Sequence, residues 1–135
     1  MSKLEEILSS LEGTLETSLS ATVRRNGVFP ESVPTTGLVI LRDGDPGEPE
    51  ITLSPLTYHF EHTAVLEVFA PPGAFDGLKV AIGAAIATDR TLSGLCDWIE
   101  PQAPETENLA VEGSDDIFAA IIPVRLIFST SDPLA

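Results

Sequence analysis

Tyr58-His59-Phe60-Glu61-His62-Thr63-Ala64-Val65-Leu66-Glu67-Val68-Phe69-Ala70 alternates with a period of two. Tyr58, Phe60, His62, Ala64, Leu66, Val68 and Ala70 fall on one phase. His59, Glu61, Thr63, Val65, Glu67 and Phe69 fall on the other, which is mixed and largely polar. Side chains of a strand point alternately to its two faces, so the spacing predicts one long strand with a single buried side. Pro71-Pro72-Gly73 ends it.

On the N-terminal side, Leu38-Val39-Ile40-Leu41 reads as a wholly apolar central strand and Ile51-Thr52-Leu53 as a brief one. Between them, 42–50 is rich in turn residues and acid, and is expected to be a loop. Ala21 to Arg25 predicts a short strand closed by Asn26-Gly27, with a proline- and glycine-marked loop over 30–37. Further back, Leu4, Ile7, Leu8, Leu11 and Leu15 recur at helical spacing. Ser2 as N-cap and Glu5 three residues on form a capping-box pattern, which predicts a helix over about 2–18. On the C-terminal side, Phe75, Leu78, Ile82, Ala85 and Ile86 predict a second helix over about 74–88. A strand is expected over 95–100 and a loop or irregular edge over 101–108. The run Ile117 to Ser129 alternates again. Pro123 lies on its outer phase and lacks an N–H, which predicts an edge, a bulge or a bend. Residues 130–135 are expected to form a mobile tail.

Consecutive strands with few helices between them favour an antiparallel or mixed sheet with both helices packed on one face, an α+β fold in a single domain over 1–135. The 135 residues, 43% of them hydrophobic, are enough to build a core, so the acidity is not that of a disordered tail. The net charge of −14 opposes non-specific binding to nucleic acid and docking on an anionic membrane. No apolar run approaches the roughly 18 residues of a membrane span, and an N-terminus that turns acidic at once is unlike a signal or transit peptide. A lone cysteine points to a reducing compartment.

Chemical motifs are sparse. His59 and His62 are three apart, which on a strand puts them on opposite faces and prevents chelation of one ion. The acidic run from Asp43 has Glu48 and Ser54 where a calcium loop needs its glycine and its bidentate glutamate. Cys96 is followed by Asp97 and has no adjacent cation to stabilise a thiolate. Ser93 lacks the glycine of a nucleophile elbow two residues before it. The 73–80 segment misplaces its lysine for a phosphate loop, and Pro71 and Pro72 remove backbone donors from its approach. No catalytic residue, metal ligand or cofactor is expected. Val65 and Phe69 share the outer phase of the long strand and need a cover, from this chain or from a neighbouring subunit. Trp98 and Phe29 are further candidate anchors, whereas Phe128 reads as core. Arg24, Arg25, Arg42 and Arg125 are scarce cations that could each meet an acidic loop of an adjacent copy.

Several stretches together resemble a family of small phage and prophage proteins whose members are sometimes labelled acyl-CoA transferase. They are Gly37 to Glu50, Leu53-Ser54-Pro55-Leu56, Tyr58-His59-Phe60-Glu61-His62, Asp89 to Trp98 and the closing Phe128 to Ala135. The match covers about residues 36 to 135, and the first helix by pattern. The element order, and the phrase Thr91-Leu92-Ser93-Gly94-Leu95 leading from a helix into a strand, are also similar to tail terminators of long-tailed phages and gene transfer agents. That resemblance implies a structural subunit, not an enzyme. It would close into a ring, expected to be hexameric, on the end of a finished tail tube, stop the tube's growth and offer a surface to the head. Its partners would be copies of itself, the tail tube protein and a head–tail connector protein. DNA would pass through without specific binding, and no membrane would be involved. The protein would assemble in the bacterial host cytoplasm and reside in the virion tail. Asp43, Asp45, Glu48 and Glu50 are then expected to face the bore, with Arg24, Arg25, Arg42, Val65, Phe69 and Trp98 at subunit or tube contacts. Another neck or baseplate component is the nearest alternative. An enzyme acting on acyl thioesters is the alternative of a different class, and it would require Cys96, His59 or His62.

Overall fold

Ser2 starts the chain's first element by accepting the Glu5 N–H on its hydroxyl, at 3.2 Å. Helix α1 follows over Lys3–Ser18 and buries Ile7, Leu8, Leu11 and Leu15. Only half of the expected capping box forms, because the Glu5 carboxylate turns away to Ser9 and Arg25. Strand β1 (Thr22–Arg25) lies parallel to β2 (Leu38–Asp45). A parallel pair needs a long crossover, supplied here by the proline-marked segment 26–37 in place of a helix. Strand β3 (Glu50–Leu53) turns into β4 (Leu56–Ala70), and helix α2 (Pro72–Thr88) begins with Pro72 at its first position, where a missing N–H costs nothing. Strands β5 (Trp98–Pro101), β6 (Glu105–Leu109) and β7 (Ile117–Thr130) complete the chain. This computed structural model describes residues 1–28, 31–109 and 117–135.

The seven strands form one mixed sheet in the order β1-β2-β4-β7-β5, with β3 added to β4 and β6 to β7. The long antiparallel pair β4–β7 runs in register from Tyr58↔Thr130 to Ala70↔Phe118. Both helices cover one face. Their apolar stripes meet Val39, Leu41, Ala64, Leu66, Val68, Ala120, Ile122, Val124 and Leu126 in the main core. The fold is thus α+β with the two helices on one side of the sheet.

Three local expectations are corrected. The 42–50 stretch is not a loop throughout, since β2 continues to Asp45 and only 46–49 connect it to β3. The turn residues there make a bulge, where the β2–β4 register slips between Arg42 and Asp45. Gly44 has a φ of +76°, and a Cβ on it would stand 1.9 Å from the Thr63 carbonyl oxygen, so its glycine character serves close strand packing. The second correction concerns β6. Its polar residues look unlike a strand, yet they pair with β7 from Glu105↔Ile121 to Leu109↔Ile117. Pro123 is the third, corrected only in part: β7 is an interior strand, yet Pro123 itself pairs with Val65 alone and is edge-like at that point. Its carbonyl accepts the Gln102 N–H, and in an antiparallel ladder a residue's N–H and C=O face the same neighbour. The missing donor therefore faces the break between β5 and β6, where no acceptor waits.

Candidate functional site

The face of the sheet turned away from the helices carries the outer phase of its strands. Cross-strand register puts Val65 opposite Pro123, Ile127 between Glu61 and Trp98, and Ile121 between Glu67 and Glu105. Among the described residues, one end of this face is closed by the chain itself. There Leu38, Ile40 and Phe69 are buried together, with Val33 of the 26–37 crossover, Ile117 and Ala119 packed on them. Phe69 is therefore buried within the subunit, and the crossover supplies the cover that its outer phase demanded. That withdraws it from the candidate surface. Val65 is half-buried, while Trp98 and Ile121 remain 44% and 45% exposed.

Arginine is concentrated on this same face. Arg42 pairs with Glu67 at 2.7 Å and donates to the Gly27 carbonyl. Arg125 pairs with Glu61. Arg90 bonds Glu100 at 2.9 Å and lies 5.0 Å from the centre of the Trp98 ring, whose Nε1–H also donates to Glu100. Arg24, opposite Ile40 on the outer phase, is exposed and makes no ion pair among the described residues. Four of the chain's seven cations thus stand on one surface, whose outer phase also carries Asp45, Glu50, Glu61, Glu67, Glu100 and Glu105. That surface gathers most of the cations of a molecule of net charge −14.

Arg25 has a different use. Being on the inner phase, it reaches α1 and grips both Glu5 carboxylate oxygens, at 2.9 and 2.8 Å, while its Nε and Nη2 donate to Asp43. Its guanidinium holds the Glu5 carboxyl below the ordinary range, and the two acids in turn strengthen the arginine's positive charge. Arg25 and Asp43, expected at a contact and in a bore, are therefore engaged with each other inside one subunit. Asp45 accepts the Gly47 N–H at 2.8 Å and sets the turn into β3. Glu48 and Glu50 are exposed. With His59, Glu61 and Asp97 they line a cavity of about 300 Å³.

A second apolar surface was not anticipated. The inner phase of β4 runs on through Phe60 and Tyr58 to Leu56, beyond the part that the helices cover. Leu53 pairs with Leu56 and Ile51 with Tyr58, so all four project from the same side of the β3–β4 arm. Leu53 is 77% exposed and Ile51 50%. The signal was present in the sequence as the alternation Ile51, Leu53, Leu56, Tyr58. It passed unread because each piece is short.

The residues that a thioester enzyme would need do not converge. Cys96 is buried in the main core, and burial, with Asp97 and Asp89 adding to it, pushes its thiol up to about 11. His62 is buried, its Nε2–H donating to the Asp43 carbonyl, whereas His59 points to solvent and meets the Thr52 hydroxyl at 3.2 Å. Ser93 is held by Asp89, which accepts its N–H at 2.8 Å. Among the described residues, no three of His, Cys, Asp and Glu come together as metal ligands, and no helix is long and apolar enough to cross a membrane. Phe29 lies outside the described residues.

No protein-family model matches the chain, and no curated protein matches it. Among solved structures it is similar to the PVC sheath/tube terminator of an extracellular contractile injection system in its extended state. The likeness has 10% sequence identity and a TM-score of 0.47, over 95% of this chain and 57% of that one. The chain thus spans a little over half the length of that protein.

Proposed function

We propose that this protein is a structural subunit of a phage tail or tail-like particle, and that its role is that of a terminator. Copies close into a ring, taken as hexameric, on the end of the tail tube. The ring halts tube growth and presents a joining surface to a head-side connector protein. The observation that carries this reading is the open sheet face, where Val65, Ile121 and Trp98 lie among ion-paired arginines on a strongly acidic chain. Copies of such a chain repel one another over roughly a Debye length of 8 Å except where their charge is already compensated. A surface of that kind suits burial against protein.

The acidic residues fit the same role. Glu48 and Glu50, which gather with Glu61 and Asp97 around one cavity, and Asp45 at the turn would line the bore. There they would repel the phosphates of passing DNA without binding it. Assembly would take place in the host cytoplasm and the product would be part of the virion tail. Native mass spectrometry and electron microscopy of the purified chain mixed with tail tubes test this. Closed rings seated on tube ends are expected. A protein that stays monomeric and ignores the tubes at every salt concentration would exclude the role.

A further inference from the structure

The two uncovered apolar surfaces point to opposite sides of the same sheet. Ile51, Leu53 and Leu56 of the β3–β4 arm carry the inner phase, whereas Val65, Ile121 and Trp98 carry the outer phase. Strand geometry keeps them apart within one molecule, because residues of opposite phase face away from each other. Each leaves large apolar side chains exposed, and a second copy of this chain brings both covers at once. Charge agrees with that choice. The arm leaves from Glu48 and Glu50, both exposed and without a cation partner among the described residues, while the open face offers Arg24, which makes no ion pair among them. A hollow of about 240 Å³ beside Ile121, lined by Glu105, Thr106, Ala119 and Ala120, provides room for a side chain of leucine size.

We infer that the arm of each copy lies across the open sheet face of the next, its apolar tip against Ile121 and its acidic root toward Arg24. The contact joins two different patches, so it is heterologous and propagates head to tail, which closes to a ring when the rotation between copies permits. This deepens the terminator reading and rests on it.

Disulfide trapping with the full chain tests the contact and the ring separately. Chains carrying Leu53→Cys are mixed with chains carrying Ile121→Cys under mild oxidation, and with chains carrying Val80→Cys, an exposed position on α2, as the comparison. Buried Cys96 stays in place in all of them. Mixed dimers between the first pair should form about tenfold faster than with the comparison, because docking holds the two thiols at high effective concentration. Equal rates, or products dominated by Leu53→Cys pairing with itself, would overturn the inference. Closed rings seen by native mass spectrometry without the Leu53–Ile121 link would refute the arm contact and leave the terminator role standing. Linked chains that grow only as open fibres would uphold the contact and remove the ring.

Discussion

Arg25 binds two carboxylates from two elements at once, and this makes it the residue on which the seating of α1 turns. Its side chain is only 15% exposed and its contact with Glu5 is bidentate, a geometry stronger than that of an ordinary surface pair. Arg25→Ala should lower stability by about 1–2 kcal/mol in urea unfolding, with the far-ultraviolet spectrum of the folded protein unchanged. The effect has a pH signature. The folded-state pKa of Glu5 is lowered, so its contribution is fully present above the ordinary value near 4.5 and is lost as pH falls through the folded value. The difference between wild type and variant should therefore be constant from neutral pH down to about pH 5 and shrink in stronger acid. A difference that grew on acidification would contradict the pairing. Cys96 offers a second test. A buried thiol pushed up to about 11 is almost wholly protonated at pH 8, so alkylation of the folded protein should be far slower than that of the chain in denaturant. Equal rates would place the thiol at the surface.

At the scale of elements, one bulge and one loop are each built around a single residue. In β2, Gly44 lets the backbone press against Thr63. Gly44→Ala would force a Cβ into the carbonyl oxygen and hold a left-handed φ, at a cost of about 2 kcal/mol or more in thermal or urea unfolding. Between α2 and β5, Asp89 gathers the N–H groups of Thr91 and Ser93 and the hydroxyls of both. Leu92, Ser93 and Gly94 then follow in left-handed conformations, which turns the buried Leu92 into the core. Those bonds hold the Asp89 carboxyl below its usual range, the Ser93 N–H having the largest effect. Asp89→Ala should lower the melting temperature and speed proteolysis within 89–97, whereas unchanged digestion would mean that the loop holds itself. The same two places show what was readable in advance. Helices α1 and α2 and strands β4 and β7 were legible because each repeats its period over three turns or more than ten residues. Asp43-Gly44-Asp45 reads as a loop in the sequence because glycine and aspartate serve turns and bulges alike. Strand β6 was missed because Glu105-Thr106-Glu107-Asn108 becomes a strand only through its ladder with β7, a long-range contact that no local pattern records. Phe69 was rightly seen to need a cover, but the cover came from the 26–37 crossover, whose path depends on β1 and β2 being parallel.

For the whole molecule, the question is how chains of charge −14 come together at all. Three of the four arginines on the open face are paired there with Glu61, Glu67 and Glu100, which leaves Asp45, Glu50 and Glu105 on that face without an ion pair among the described residues. Arg24 is the one of the four without an ion pair among the described residues, and so it is the cation left to meet a neighbour. Reversing Arg24 and Arg25 together would confuse two effects, since Arg25 anchors α1. Arg24→Glu alone separates them. It removes no internal pair, so the melting temperature should stay within about a degree or two of wild type, as for most exposed substitutions. Association should weaken by about tenfold, the worth of roughly 1.4 kcal/mol, because a glutamate near the acidic arm root turns attraction into repulsion. Part of that loss should be recovered by raising salt, which screens repulsion between exposed charges but does nothing for lost apolar contact. Analytical ultracentrifugation across a salt series reads both quantities. Association of Arg24→Glu equal to wild type at low salt would remove Arg24 from the interface. Weakening that salt left untouched would mean that the side chain acts there by its shape and not by its charge.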